Sequence, residues 1–316
     1  MANPNPVSDD RNGVTASREE LIALGRRVGA IGEASGRRVS TPLAGPNASR
    51  LCGPGLEFAE VRAYQPGDDV RAIDWRVTAR TGRTHSKLFE AERERPVWFV
   101  VDLGASMQFA TRGVFKSVAA ARAAALLAWR AHRDTERIGG IVTSPGVSVE
   151  LPPGRTRGHL LRLLGALATA THVPYEVTGE PALLREIGWL RERARSGSRV
   201  VVVSDFYGLD DALAGQLAAL ATRCELMLVW IYDPLEAEAP PPGRYRVTDG
   251  TRSETLVAKR SRSWRKAYAA AFRKRERQIR KLASRQRISL VSLRTDEPAT
   301  AVLTRPGLSE STRRAG

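Results

Sequence analysis

Two acidic residues stand where strand-like apolar runs end. Val97-Trp98-Phe99-Val100-Val101 runs into Asp102, and Val200–Val203 runs through Ser204 into Asp205. Ser106 follows Asp102 by four positions, in the turn before the next helix-like stretch. In open α/β sheets, ligands gather where strands end at their carboxyl edge, so both carboxylates and the Ser106 hydroxyl are expected at one rim. Carboxylate and hydroxyl oxygens suit a small hard cation such as Mg²⁺, which keeps several waters. The alternative reading is that Asp102 and Asp205 cap turns and helix N-termini, a routine task for Asp. Both readings stand at this point.

The elements that would position these residues alternate from residue 97 onward. Val97–Val101, Val200–Val203 and Leu226–Tyr232 are continuous apolar runs of the kind buried on both sheet faces. Between them lie Ala-rich or Leu-periodic helical stretches, such as 114–129, 160–167 and 183–190. Such alternation implies a parallel sheet covered on both sides, with right-handed crossovers. The expected fold class is therefore α/β: a doubly wound, mostly parallel Rossmann-like sheet.

The flanking segments differ in character. Ser17-Arg18-Glu19-Glu20 has capping-box spacing, and Leu21, Leu24 and Val28 follow at helical intervals, predicting a helix from 18 to about 30. A hairpin is expected over Tyr245–Leu256, then a long basic helix over 261–285. Between Lys259 and Arg287 there are thirteen basic residues against one acidic, Glu276. Trp264, Tyr268, Phe272, Ile279 and Leu282 form one apolar stripe along it, leaving the basic side chains to solvent. The expected organisation is a disordered tail over 1–16, an N-terminal helix and Arg/Asp segment over 17–96, the sheet domain over 97–295, and a C-terminal tail over 296–316.

The Arg/Asp segment is the most patterned part of the chain. It reads Arg62-Ala63-Tyr64-Gln65-Pro66-Gly67-Asp68-Asp69-Val70-Arg71-Ala72-Ile73-Asp74-Trp75, continuing through Arg80 to Lys87. Gly67 after Pro66 supports a tight turn in which Asp68 and Asp69 accept backbone N–H bonds. An internal salt-bridge lattice with Trp75 as apolar anchor is the favoured reading for Asp74 and Trp75. For Arg71, Arg80 and Lys87, that reading and a partner-binding surface are equally supported.

This block, with the strand ending in Asp102 through Met107, resembles the prokaryotic domain-of-unknown-function 58 family. The second half of that family is a von Willebrand factor A-like (vWA) domain. The match runs through Arg62, Tyr64, Gly67, Asp68, Asp69, Arg71, Asp74, Trp75 and Arg80. The resemblance implies a metal-ion-dependent adhesion site at Asp102, Ser106 and Asp205, with Thr156 as the best positional match to the family's Thr ligand. Gly104 departs from the usual Ser, which implies weakened Mg²⁺ binding or none. It further implies a non-enzymatic, cytoplasmic adaptor of the short form without membrane helices, working with a MoxR-type AAA+ ATPase on an unknown client. Complex assembly, remodelling or cofactor insertion would be its setting.

Composition narrows the alternatives. The chain of 316 residues carries a net charge of +16, nearly all of its basic residues being Arg. That charge bears on association and solubility, not on fold. No apolar run reaches the roughly 20 residues needed to cross a bilayer. Cys52 and Cys224 are far apart, and the four histidines lack metal-ligand spacing, which argues against a disulfide framework or zinc. No phosphate-binding loop, nucleophile elbow or zinc-protease motif occurs. A Mg²⁺-dependent phosphoesterase using Asp102 and Asp205 is the second reading. A basic nucleic-acid-binding protein is the third, although no base-reading motif supports specific recognition. Peripheral contact with anionic surfaces remains open.

Overall fold

The computed structural model describes residues 13–34, 56–65, 73–91, 95–172, 182–248 and 253–305. The chain forms two units. One comprises residues 40–94, and the other residues 1–39 together with 95–316.

The larger unit is built on six strands: β3 (Val97–Asp102), β4 (Ile138–Ser144), β5 (Val147–Gly154), β6 (Arg199–Ser204), β7 (Glu225–Tyr232) and β10 (Ser289–Arg294). They lie in the order β10-β7-β6-β3-β4-β5. All neighbours are parallel except β4 and β5, which are antiparallel. The fold is thus α/β with a doubly wound, mostly parallel sheet. From β3 the chain works outward through β4 to β5, then returns to β6 and works outward on the other side. The carboxyl ends of β3 and β6 therefore flank the point where winding reverses, which is where such sheets open a crevice.

Two-residue alternation splits the strand side chains between two cores. Val97, Phe99 and Val101 of β3 join Val229 and Ile231 of β7 on one face. Trp98 and Val100 join Leu226, Leu228 and Trp230 on the other. The first face is covered by α3 (Lys116–Arg133) and α4 (Arg157–Thr171), with α1 (Arg18–Ala34) packed on both helices. Alanines make up most of the buried face of α3, so the helix lies close to the sheet. Gly25 of α1 packs flat on Trp129, where an added Cβ would come within 2.8 Å of the indole. The second face is covered by α5 (Ala182–Arg193), α6 (Asp211–Ala221) and α8 (Arg262–Gln286). The expected stripe on α8 holds, since Phe272 and Ile279 are buried and eight exposed Arg and Lys side chains, from Arg265 to Arg285, face solvent.

Several boundaries need correction. The N-terminal helix belongs with the sheet unit rather than with the Arg/Asp segment, because Leu21, Leu24 and Val28 join its core. Half of its expected capping box forms: Ser17 Oγ accepts the Glu20 N–H, while the Glu20 carboxylate pairs with Arg122 instead. The tail expected over 1–16 lies outside the described residues only through residue 12. Ala16 is fully buried and donates its N–H to Thr171 Oγ1. The tail expected from 296 is part of the body as far as Arg305, since α9 (Ala301–Thr304) buries Val302. The expected hairpin forms as β8 (Gly243–Thr248) and β9 (Ser253–Ala258).

The smaller unit pairs β1 (Leu56–Ala63) with β2 (His85–Ala91), antiparallel, around α2 (Trp75–Thr81). This is the expected charged β/loop extension. Among the described residues no helix is long and apolar enough to cross a membrane.

Candidate functional site at the carboxyl rim

Asp102 closes β3 and Asp205 follows β6, so the sheet brings both carboxylates to one rim at its switch point. Every carboxylate oxygen of the pair already has a donor. Asp102 Oδ1 accepts the Gly104 N–H at 2.9 Å, and Oδ2 accepts the Ser204 hydroxyl at 2.8 Å. Asp205 Oδ1 accepts the Tyr207 N–H at 2.9 Å, and Oδ2 takes the Lys116 ammonium at 2.7 Å. Burial, then the neighbouring charge of Asp205, pushes the Asp102 carboxyl up to about 6. The N–H of Gly104 and the Ser204 hydroxyl oppose that rise without cancelling it.

Lys116 is the residue that sequence reasoning missed. It opens α3, and its side chain is only 3 % exposed against 1 % for Asp205. Its ammonium also reaches Glu236 Oε1 at 3.3 Å and lies 5.8 Å from the centre of the Phe109 ring. One signal for it existed. The chain has only six lysines, three of them in the basic helix, so a lysine opening an Ala-rich buried helix is conspicuous. Its compact ammonium, on a flexible stem, lets one nitrogen reach two carboxylates from different elements.

Two further acids complete the rim. Asp233 is fully buried after β7 and opens the short α7 (Pro234–Ala237). It accepts from the Thr111 N–H and hydroxyl, the Leu235 N–H and the Thr295 hydroxyl. Those bonds tie together the loops after β3, β7 and β10. Glu236 Oε2 accepts the Asp233 N–H at 3.0 Å, while its Oε1 faces both Lys116 and Arg275 of α8. Arg275 in turn lies 5.0 Å over the Tyr207 ring. Phe206, between Asp205 and Tyr207, adopts φ 50°, which bulky residues rarely do. Its ring is fully buried, and its N–H is held by Ser204 Oγ at 3.0 Å.

Thr156 does not join this rim. Gly154, ending β5, pairs with Ile138 at the start of β4, and Ile138 pairs with Val97 at the start of β3. Because β5 runs antiparallel, the residues after it emerge at the opposite, amino rim. There Thr156 is exposed and caps α4, its hydroxyl accepting the His159 N–H at 3.2 Å. Ser106 lies in the 3-10 turn Ala105–Met107 after β3 and is half-buried. Among the described residues, no group of three or more His, Cys, Asp or Glu side chains is arranged to hold a metal ion. The donor set at Asp102 and Asp205 does not fit Mg²⁺ either. Each of their four oxygens already accepts a protein donor, and an ammonium sits against one of them.

In the smaller unit, Asp74 caps α2, accepting the N–H groups of Arg76 at 3.0 Å and Val77 at 3.1 Å. Trp75 corrects the expectation of an apolar anchor: it is 69 % exposed, on a helix that buries no residue. Helix capping makes the following residue the first of the helix, and here that position points to solvent. Arg80 lies exposed in the last turn. Tyr64 donates its N–H to the Thr84 carbonyl, while Arg62 and Lys87 are placed in β1 and β2. Gly67, Asp68, Asp69 and Arg71 lie outside the described residues.

The family described as "Protein of unknown function DUF58" matches residues 60–278, spanning the Arg/Asp segment and the sheet as far as α8. The chain belongs to this family. Uncharacterised proteins of Mycobacterium tuberculosis and Mycobacterium bovis are each 32 % identical to it over 263 residues, covering 83 % of this chain and 82 % of theirs. Among solved structures, the conserved hypothetical protein BatB of Bacteroides thetaiotaomicron aligns with a TM-score of 0.41 and 16 % identity, over 70 % of this chain and 98 % of that one. An aerotolerance-related membrane protein of Bacteroides fragilis aligns with a TM-score of 0.41 and 14 % identity, over 66 % and 97 %.

Proposed function

We propose that this family member is a non-enzymatic interaction module that docks a partner protein through α2. The exposed Trp75 is the observation that carries this reading. A large aromatic in solvent beside arginines is the composition from which interface hot spots are made. Arg76 and Arg80 follow it on the same short helix and are also exposed. The rim carboxylates support a non-catalytic role, because their oxygens are engaged by Gly104, Ser204, Tyr207 and Lys116 rather than aimed at a crevice.

The partner we propose is a MoxR-type AAA+ ATPase, with the chain coupling ATP-driven remodelling to a client. Family membership, not geometry, supports that choice. Immobilised full-length protein, offered native lysate at low salt with Mg²⁺-ATP, should retain an AAA+ ATPase identifiable by mass spectrometry. Trp75→Ala and Arg80→Glu should each lose it while remaining folded. Recovery of no ATPase, or equal recovery by both variants, would overturn the proposal. So would turnover of phosphate esters that disappears in Asp102→Ala.

A further inference from the structure

We infer that Lys116 is the resident cation of the carboxyl rim, holding the place between Asp205 and its acidic neighbours that a divalent ion would otherwise take. The rim is thus a metal-independent ionic lock.

The argument rests on geometry and charge. A divalent ion needs free carboxylate oxygens at the crevice and brings two positive charges. Here the oxygen of Asp205 that faces the cluster is 2.7 Å from Lys116 Nζ, and the same nitrogen is 3.3 Å from Glu236 Oε1. Arg275 adds a second positive charge at 3.4 Å from Glu236 Oε1. Two carboxylates thus face two protein cations. Admitting a divalent ion beside them would place four positive charges against these two carboxylates, at a site where Lys116 and Asp205 are buried. Desolvated charge is tolerated only when it is paired and hydrogen-bonded, as this pair is.

The lock also has a mechanical role. Lys116 comes from the first turn of α3, Asp205 from the end of β6, Glu236 from α7 and Arg275 from α8. One ionic chain therefore joins helices from both faces of the sheet across its carboxyl edge. In a metal-bridged site such joining waits for an ion. Here it is covalently part of the protein and present from folding onward.

The test is direct and independent of any docking partner. The purified full chain is titrated with Mn²⁺, followed by the loss of the free-ion electron paramagnetic resonance signal, and with Mg²⁺ by calorimetry. No saturable uptake is expected up to about 10 mM, above the weak end of the affinity range of protein sites for divalent ions. Lys116→Ala strips the ammonium from two carboxylates, Asp205 and Glu236, and this variant should gain stoichiometric Mn²⁺ binding that Asp205→Asn removes again. Saturable Mn²⁺ or Mg²⁺ uptake by the wild-type chain, lost in Asp205→Asn, would overturn the inference whether or not the lysine variant folds. A folded Lys116→Ala that gains no Mn²⁺ would overturn it as well.

Discussion

Lys116 Nζ and Asp205 Oδ2 lie 2.7 Å apart, with both side chains almost wholly buried at the edge where β3 and β6 part. The two residues are 89 positions apart in the chain and meet only because the sheet winds outward in both directions from that point. A buried ion pair of this kind specifies an arrangement more than it adds stability, because desolvation offsets much of its attraction. Losing Lys116 is another matter, since Asp205 then becomes an uncompensated buried charge.

Asp102 makes the stability depend on pH in a defined direction. Its carboxyl is pushed up to about 6 in the folded chain, above the ordinary value of 3.8, first by burial and then by Asp205. The folded state therefore holds this proton more tightly than the unfolded state. Stability from this group is greatest below its ordinary value and declines as pH rises towards its folded value. Above that, an ionised Asp102 costs about 3 kcal/mol. Asp102→Asn should accordingly be more stable than wild type in urea denaturation near pH 8, with the difference fading by about pH 4. A difference that stays constant with pH would contradict the account.

Asp233 ties three loops to one carboxylate, so its loss should loosen the rim as a whole. Asp233→Ala leaves the Leu235 and Thr111 N–H groups and the Thr295 hydroxyl without the acceptor they now share. Each hydrogen bond lost costs on the order of 1 kcal/mol, most at the buried Thr295 hydroxyl and less at the exposed Thr111, so a destabilisation of about 2 kcal/mol is expected. Chemical denaturation measures it. A change below about 1 kcal/mol would show that water satisfies these donors and that the rim does not depend on them.

The strand carboxylates were legible in the sequence because they follow apolar runs whose burial is forced by composition. Asp102 and Asp205 could thus be assigned to one edge without coordinates. Thr156 was legible in principle but misplaced: the turn at Pro145-Gly146 is too short for a crossover, so β5 must run back antiparallel and deliver the residues after it to the amino rim. Lys116 was obscured by reading basic residues as solvated surface, which holds for α8 but fails where a helix opens onto a buried carboxylate. Trp75 was misread for the opposite reason: aromatic size suggests burial, whereas Asp74 starts a helix that buries none of its residues.

Gly104 offers a control that separates the effect of a hydroxyl at this turn from that of Lys116. A Cβ at this position would come within 3.0 Å of Asp102 Oδ1, so the carboxylate must give way slightly. Gly104→Ser is expected to cost about 1 kcal/mol in thermal or urea unfolding, in the lower range for overpacking. It should leave the chain unable to bind Mn²⁺, because Lys116 remains. Acquisition of Mn²⁺ by this single variant would assign the change to Gly104 instead.

The most direct measurement is a double-mutant cycle on Lys116 and Asp205, read by urea unfolding of Lys116→Met, Asp205→Asn and the double variant. Lys116→Met should cost about 3–5 kcal/mol, because it strands the buried Asp205 charge, and Asp205→Asn should cost less, because Lys116 keeps Glu236 at 3.3 Å. The double variant should recover part of that loss, giving a coupling of at least about 2 kcal/mol. Additive losses would contradict the account, since they would mean that the two groups do not neutralise one another at this rim.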